Sequence, residues 1–191
     1  MSFTHIEIPN FLTKEECKIL LEFSLKNLKL DTARYSPEGK IGNLRKSKIQ
    51  FYPYYDKFPF LLNKINGIVE EHIKVKGHDL EYKKEQFQFT QYNVGDYFDW
   101  HGDKEYGTKD KLILGRYCSV VLQLNDEYEG GDLEVELPNG DHIVVKKDIG
   151  NLIIFLSEIK HRVTCITSGV RYTLVNWIGT KPKENYKKTL L

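Results

Sequence analysis

The chain has 191 residues, 40% hydrophobic and 13% aromatic, with 28 basic and 27 acidic side chains. That length closes one substantial core and is short for two, and the composition excludes disorder outside the ends. The near-cancelling charge leaves no field to gather nucleic acid or an anionic membrane, so neither is expected as a partner.

Cys17, Cys118 and Cys165 are far apart with no CxxC pair, which argues against a disulfide framework or a zinc knuckle and fits a reducing compartment. Met1 to Glu7 lacks the basic start and apolar run of a secretion signal, and no apolar stretch reaches membrane-spanning length. The expectation is a soluble cytoplasmic protein with one domain over 1–191. It divides into helical and flap support (1–79), a strand-rich core (80–180) and a loose tail (181–191).

In chain order, His5 to Pro9 reads as a short strand, and Thr13-Lys14-Glu15-Glu16 has the Thr-x-x-Glu form of a capping box opening a helix. Ile19, Leu20, Phe23 and Leu28 are expected on its buried face. The polar stretch Asp31 to Asn43 reads as a surface loop or flap before Ser47 to Tyr52 resumes an extended pattern. Pro59 suits the first turn of a second helix carrying Leu61, Leu62, Ile65, Ile68, Val69 and Ile73 at helical spacing and ending near Gly77.

From Leu80 onward the texture is of short β-rich runs: Phe87 and Phe89, Tyr117 to Leu124, Leu133 to Leu137, Ile143 to Val145, Leu152 to Phe155, His161 to Cys165 and Arg171 to Ile178. Turn residues separate them, among them Gly130-Gly131, Pro138-Asn139-Gly140 and Ser168-Gly169. Such spacing predicts a β-sandwich or barrel, mainly β, with two N-terminal helices packed on one face.

Within this frame Trp100-His101-Gly102-Asp103 puts an imidazole and a carboxylate two positions apart, on the same side of an extended segment. A non-haem iron site needs a second histidine from another strand and leaves coordination positions open. His142 lies in a polar hairpin with Leu152 ten positions on. His161 follows a buried strand and has Arg171 ten positions on, which makes it the better ligand. His5, His72 and His78 read as exposed or capping side chains. Arg171, inside Val170-Arg171-Tyr172-Thr173-Leu174-Val175, suits the neutralisation of a dicarboxylate's far end by two parallel charge-assisted bonds. The plainer reading is an arginine on the solvent face of an edge strand.

With His101, Asp103, His161 and Arg171 in this order, the chain resembles the Fe(II)- and 2-oxoglutarate-dependent dioxygenases, and within them the prolyl 4-hydroxylase-like group. Gln91 to Asp103 looks like that group's Tyr-x-x-Gly segment leading into His-x-Asp. Glu129-Gly130-Gly131-Asp132-Leu133 looks like its Gly-Gly hairpin, Asn151 to Ser157 its penultimate buried strand, and Arg171-Tyr172 its co-substrate clamp. The likeness spans about residues 87 to 178, with Arg45-Lys46-Ser47 resembling a strand near the substrate flap.

The resemblance implies a double-stranded β-helix, or jelly roll, binding Fe(II), 2-oxoglutarate and O2, with ascorbate as reductant. It implies that Tyr92 offers its hydroxyl to the 2-oxoglutarate carboxylate and that Leu133 lines the pocket. Gln123 stands where many relatives have a Tyr or another polar residue, and Trp177 either walls the metal pocket or is an ordinary core tryptophan. The implied reaction hydroxylates an unactivated C–H bond, releasing succinate and CO2, on a prolyl residue of a peptide or protein. The alternatives are a free amino acid, another side chain, or a non-catalytic jelly-roll module that binds a metal or ligand. Tyr35, Arg45, Tyr52, Tyr54, Tyr55 and Tyr97 either frame a peptide groove or pack the outside of the barrel.

Overall fold

A computed structural model of the chain describes residues 3–33, 44–73, 78–81, 86–104 and 114–182. In chain order these form β1 (His5–Ile8), α1 (Lys14–Asn27), β2 (Asp31–Thr32), β3 (Arg45–Lys46), β4 (Lys48–Tyr52), α2 (Tyr54–Lys57), α3 (Pro59–His72) and β5 (His78–Glu81). There follow β6 (Phe87–Tyr92), β7 (Tyr97–His101), β8 (Leu114–Gln123), β9 (Tyr128–Gly130), β10 (Leu133–Glu136), β11 (His142–Val144), β12 (Leu152–Leu156), β13 (His161–Val163), β14 (Ile166–Gly169) and β15 (Arg171–Pro182). Tyr35, Gly77 and residues 183–191 of the expected tail lie outside the described residues.

Two antiparallel sheets face each other as a jelly roll. The major sheet runs β1-β12-β8-β15-β6-β4-β2, with β5 added along the end of β15, and the minor sheet runs β11-β10-β13-β7-β3. The period-two alternation of strands sorts the side chains between two cores. Leu152 and Ile154 of β12, Leu122 of β8, Leu174 of β15 and Phe89 of β6 turn toward the helices, where they meet Leu20, Leu61, Ile65 and Val69. Ile153, Phe155 and Val121 turn inward against Val135 and Val163 of the minor sheet. Each such buried side chain contributes about 1.5–3 kcal/mol. The same alternation puts Arg171, Thr173, Val175 and Trp177 on the inner face of β15.

The helices follow their sequence signals with two corrections. The capping box opening α1 is formed, Glu16 N–H donating to Thr13 Oγ1 at 3.1 Å and Thr13 N–H to Glu16 Oε2 at 2.9 Å, a device worth about 1 kcal/mol. Its buried face is Cys17, Leu20 and Ser24, while Ile19, expected inside, is 45% exposed. A stripe centred on 17, 20 and 24 leaves position 19 about 100° of helix rotation from Leu20. α3 opens on Pro59 as expected but stops at His72. The flap region is also partly sheet: Asp31 and Thr32 pair with Ile49 and Lys48. Among the described residues no helix is long and apolar enough to cross a membrane.

Candidate active site

The two sheets splay apart over a cleft of about 850 Å³, counted with the space open to solvent. His101 closes β7 and His161 opens β13, and the two are direct cross-strand partners, which brings residues 60 positions apart onto one spot. Asp103 follows two residues after His101, held by its backbone N–H on Ser157 O at 2.8 Å. His101 Nε2 lies 3.7 Å from Asp103 Oδ1, and His161 Nε2 lies 3.5 Å from Asp103 Oδ2. One donor atom from each residue falls within 4.8 Å of the others, the spacing of a shared metal ion.

The ring tautomers are set from behind. His101 Nδ1 lies 2.7 Å from the Asp99 carbonyl and His161 Nδ1 3.1 Å from that of Ile159. A carbonyl only accepts, so each Nδ1 carries the proton and each Nε2 lone pair faces the cleft. Burial, then the charge of His161, pushes the His101 pKa down to about 3, so its imidazole is neutral as a ligand must be. For Asp103 burial acts upward, but the electrostatic pull of the adjoining His161 and His101 rings, with bonds from Trp177 and Ser119, outweighs it and holds the carboxyl below its usual range. Those bonds are Ser119 Oγ to Asp103 Oδ2 at 2.8 Å and Trp177 Nε1 to the same oxygen at 2.9 Å.

Arg171 sits at the inner end of the cleft and is 2% exposed. It is not on an edge: β15 lies between β8 and β6, and Arg171 pairs with Tyr92 in register. One guanidinium nitrogen donates to Gln123 Oε1 at 3.1 Å. Its Nε is buried with no partner, and among the described residues no carboxylate reaches it. Tyr92, whose ring centroid lies 5.4 Å from the guanidinium carbon, and Leu133 line the same cleft, as does Trp177. Gln123 borders a narrower cleft of about 250 Å³, counted with the space open to solvent, that Arg171, Tyr128 and Leu133 also line.

A model of the 2OG-Fe(II) oxygenase superfamily matches residues 87–179, the segment holding all of these side chains. Over that segment, 93 of the 191 residues, the chain is similar to that superfamily. It is 32% identical over 107 residues to a PKHD-type hydroxylase of Acinetobacter baumannii, covering 54% of this chain and 47% of that protein. The chain thus spans about half the length of the curated relatives it matches first. Its fold is that of a prolyl-4-hydroxylase of Pseudomonas putida (TM-score 0.69, 20% identity, 95% of this chain and 94% of that one). It is also that of a prolyl hydroxylase of Trichoplax adhaerens in complex with a hypoxia inducible factor peptide (TM-score 0.72, 16% identity, 97% and 86%).

The residues present fit the groups this superfamily uses. Two neutral imidazoles and a carboxylate form the donor set for Fe(II), and the open cleft leaves coordination positions accessible. The buried guanidinium with an unanswered N–H fits a carboxylate arriving from outside the protein, because a buried charge without a counter-ion is costly.

Of the other candidate residues, His142 is exposed, 3.6 Å from Glu134 Oε2 and stacked edge-on to Trp100, away from the triad. Tyr54 is wholly buried beneath α1 and hydrogen-bonds Ser24, and Tyr52 packs on Phe23 with it, so both belong to the helical layer. Arg45 lines the cleft. Sequence reasoning missed Ser119, Phe98 and Arg116. Phe98 stacks on His101 at 3.4 Å between centroids, and the Arg116 guanidinium lies 3.5 Å over Trp177. Ser119 was discoverable from parity alone, since it shares the inward side of β8 with Val121 and Gln123.

Proposed function

We propose that this protein is an Fe(II)- and 2-oxoglutarate-dependent dioxygenase that hydroxylates a prolyl residue of a peptide or protein. His101, Asp103 and His161 hold the iron, and Arg171 anchors the distal carboxylate of 2-oxoglutarate. Tyr92, Gln123, Leu133 and Trp177 complete the co-substrate pocket. The observation that carries this reading is the fully buried Arg171, whose Nε lacks any partner, in the same cleft as a converging His-Asp-His set. The bound iron and co-substrate together supply the oxidant for an unactivated C–H bond, with succinate and CO2 as the by-products.

The chain's own tasks are those of placement and exclusion. Ser119 and Trp177 fix Asp103, and the Asp99 and Ile159 carbonyls fix the imidazoles. Gln123 holds Arg171 from one side, and the Nε–H has no partner among the described residues. Ile49, Phe51, Val175 and Trp177 give the substrate space apolar walls that keep water from the target carbon. The peptide complex of the Trichoplax adhaerens neighbour supports a peptide substrate, ascorbate is the reductant expected, and three thiols without a disulfide suit the reducing cytoplasm.

The test is succinate formation from 2-oxoglutarate. It is expected to require Fe(II), to vanish in His161→Ala, and in Arg171→Ala to need far more 2-oxoglutarate with little change in metal affinity. Iron-dependent turnover surviving in His161→Ala overturns the reading.

A further inference from the structure

We infer that the substrate carries a carboxylate close to the carbon that reacts, and that Arg45 binds it. This rests on the proposed function and names the substrate class of that same site. Among the described residues lining the cleft, the permanently charged side chains are Arg45, Arg116, Arg171 and Asp103. With the site loaded, the ferrous charge, the Asp103 carboxylate, the two carboxylates of 2-oxoglutarate and Arg171 cancel formally. Arg45 is not part of that balance. The chain as a whole is near neutral, with a formal charge of +1, so this local excess is a property of the cleft and not of the surface at large.

Arg45 is built for such a contact. It pairs across β3 with Phe98 of β7, and its guanidinium carbon lies 4.5 Å from the centre of the Phe98 ring. The same ring is stacked at 3.4 Å on His101, so a single aromatic side chain separates Arg45 from a proposed iron ligand. Arg45 Nε donates to Ser47 Oγ at 2.7 Å, and Ser47 is 3% exposed. The head is therefore pinned by one nitrogen and one ring face, and its two terminal nitrogens remain for a ligand. No carboxylate of the described residues stands within ion-pair distance of it. A preorganised guanidinium binds a carboxylate with two parallel bonds and loses little side-chain freedom in doing so. Ile49, Phe51, Val175 and Trp177 add apolar wall alongside the polar Gln88 and Thr173, which gives room for a compact aliphatic group beside the acid.

One carboxylate chemistry has two sources: an Asp or Glu side chain next to the target residue, or the α-carboxylate of a free amino acid. The experiment is calorimetric titration of the Mn(II)-loaded, 2-oxoglutarate-saturated full chain under anaerobic conditions. The probes are acetylated, amidated Gly-Pro-Glu and Glu-Pro-Gly with their glutamine counterparts, and free L-proline with L-prolinamide. At least one acid is expected to bind ten-fold or more tightly than its own amide, and which pair shows the gap identifies the source. Arg45→Gln is expected to abolish the gap, and Arg45→Lys, which keeps the charge and loses the fork, to retain part of it. Equal affinity of every acid and its amide, including no measurable binding of either, overturns the inference. So does a gap that persists in a folded Arg45→Gln protein. Succinate formation by the unaltered chain is read separately, so an iron-dependent signal there with no acid preference sinks this inference alone.

Discussion

The indole N–H of Trp177 and the carboxylate of Asp103 meet at 2.9 Å, which joins the middle of the central strand to the loop that follows His101. A bulky aromatic in a β-sheet interior fills volume, and a buried indole N–H usually finds a partner as well. Here it also fixes one oxygen of a metal-binding group, which Ser119 grips at 2.8 Å as well. Trp177→Phe keeps most of the volume and removes the donor. Its expected effect is a 10- to 100-fold loss of Fe(II) or Mn(II) affinity, with 2-oxoglutarate affinity at saturating metal nearly unchanged. Competition with a chromophoric chelator measures the first, and an unchanged metal affinity would remove Trp177 from any supporting role.

Arg171 is a stability liability in the empty protein, because a buried cation with one neutral partner has left water with little return. Arg171→Met, similar in length and uncharged, is expected to stabilise the metal-free chain by on the order of 1–3 kcal/mol in urea unfolding. The same change is expected to abolish 2-oxoglutarate binding. A destabilised Met variant would mean that the guanidinium is already well compensated.

Acid should weaken the metal-free fold through His101. Burial lowers its pKa from 6.5 to about 3, so between those values the unfolded chain binds the proton and the folded chain does not. This contribution to stability is therefore full above pH 6.5 and is lost as pH falls toward 3. Linkage gives a loss on the order of 2 kcal/mol between pH 7.5 and pH 5. Urea unfolding in the presence of a chelator at the two pH values checks it, with His101→Gln expected to flatten the difference. A difference equally large in that variant would assign it to other groups.

The cysteines should separate by reactivity. Burial pushes both the Cys17 and the Cys118 thiol up to about 12, so at pH 8 neither offers appreciable thiolate, and both are enclosed. Cys165 is exposed. Iodoacetamide at pH 8 is expected to label Cys165 alone in the folded protein and all three after denaturation, as peptide mass spectrometry would show. Native labelling of Cys118 would mean that the major sheet opens locally at β8.

What could be read from the sequence follows from what is local. The Thr13–Glu16 box, the proline opening α3 and the period-two runs of β8, β12 and β15 are short-range signals, and the jelly roll follows from their number and order. His101 and Asp103 stood out as a two-residue pattern, and His161 through its spacing to Arg171. Sequence could not tell whether Arg171 was buried or on an edge, because that depends on β15 lying between two strands drawn from distant parts of the chain. Ile19 was misplaced because three apolar residues of α1 compete for one face and only packing against the sheet chooses among them. For Tyr54 a peptide groove and the outside of the barrel stayed open as alternatives, because only packing against α1 brings its hydroxyl to Ser24 beneath the helix. Phe98 and Arg116 act through stacking on His101 and Trp177, and stacking partners leave no mark at any fixed spacing.

The last described strand, β15, is also a central one, flanked by β8 and β6. During synthesis β8 and β6 must wait for a neighbour that leaves the ribosome after both of them. Arg171 and Trp177 arrive on that same piece of chain, so any cleft formed earlier lacks its anion anchor and one of the donors that steady Asp103. A cleft complete for the proposed chemistry is thereby confined to molecules whose sheet has already closed.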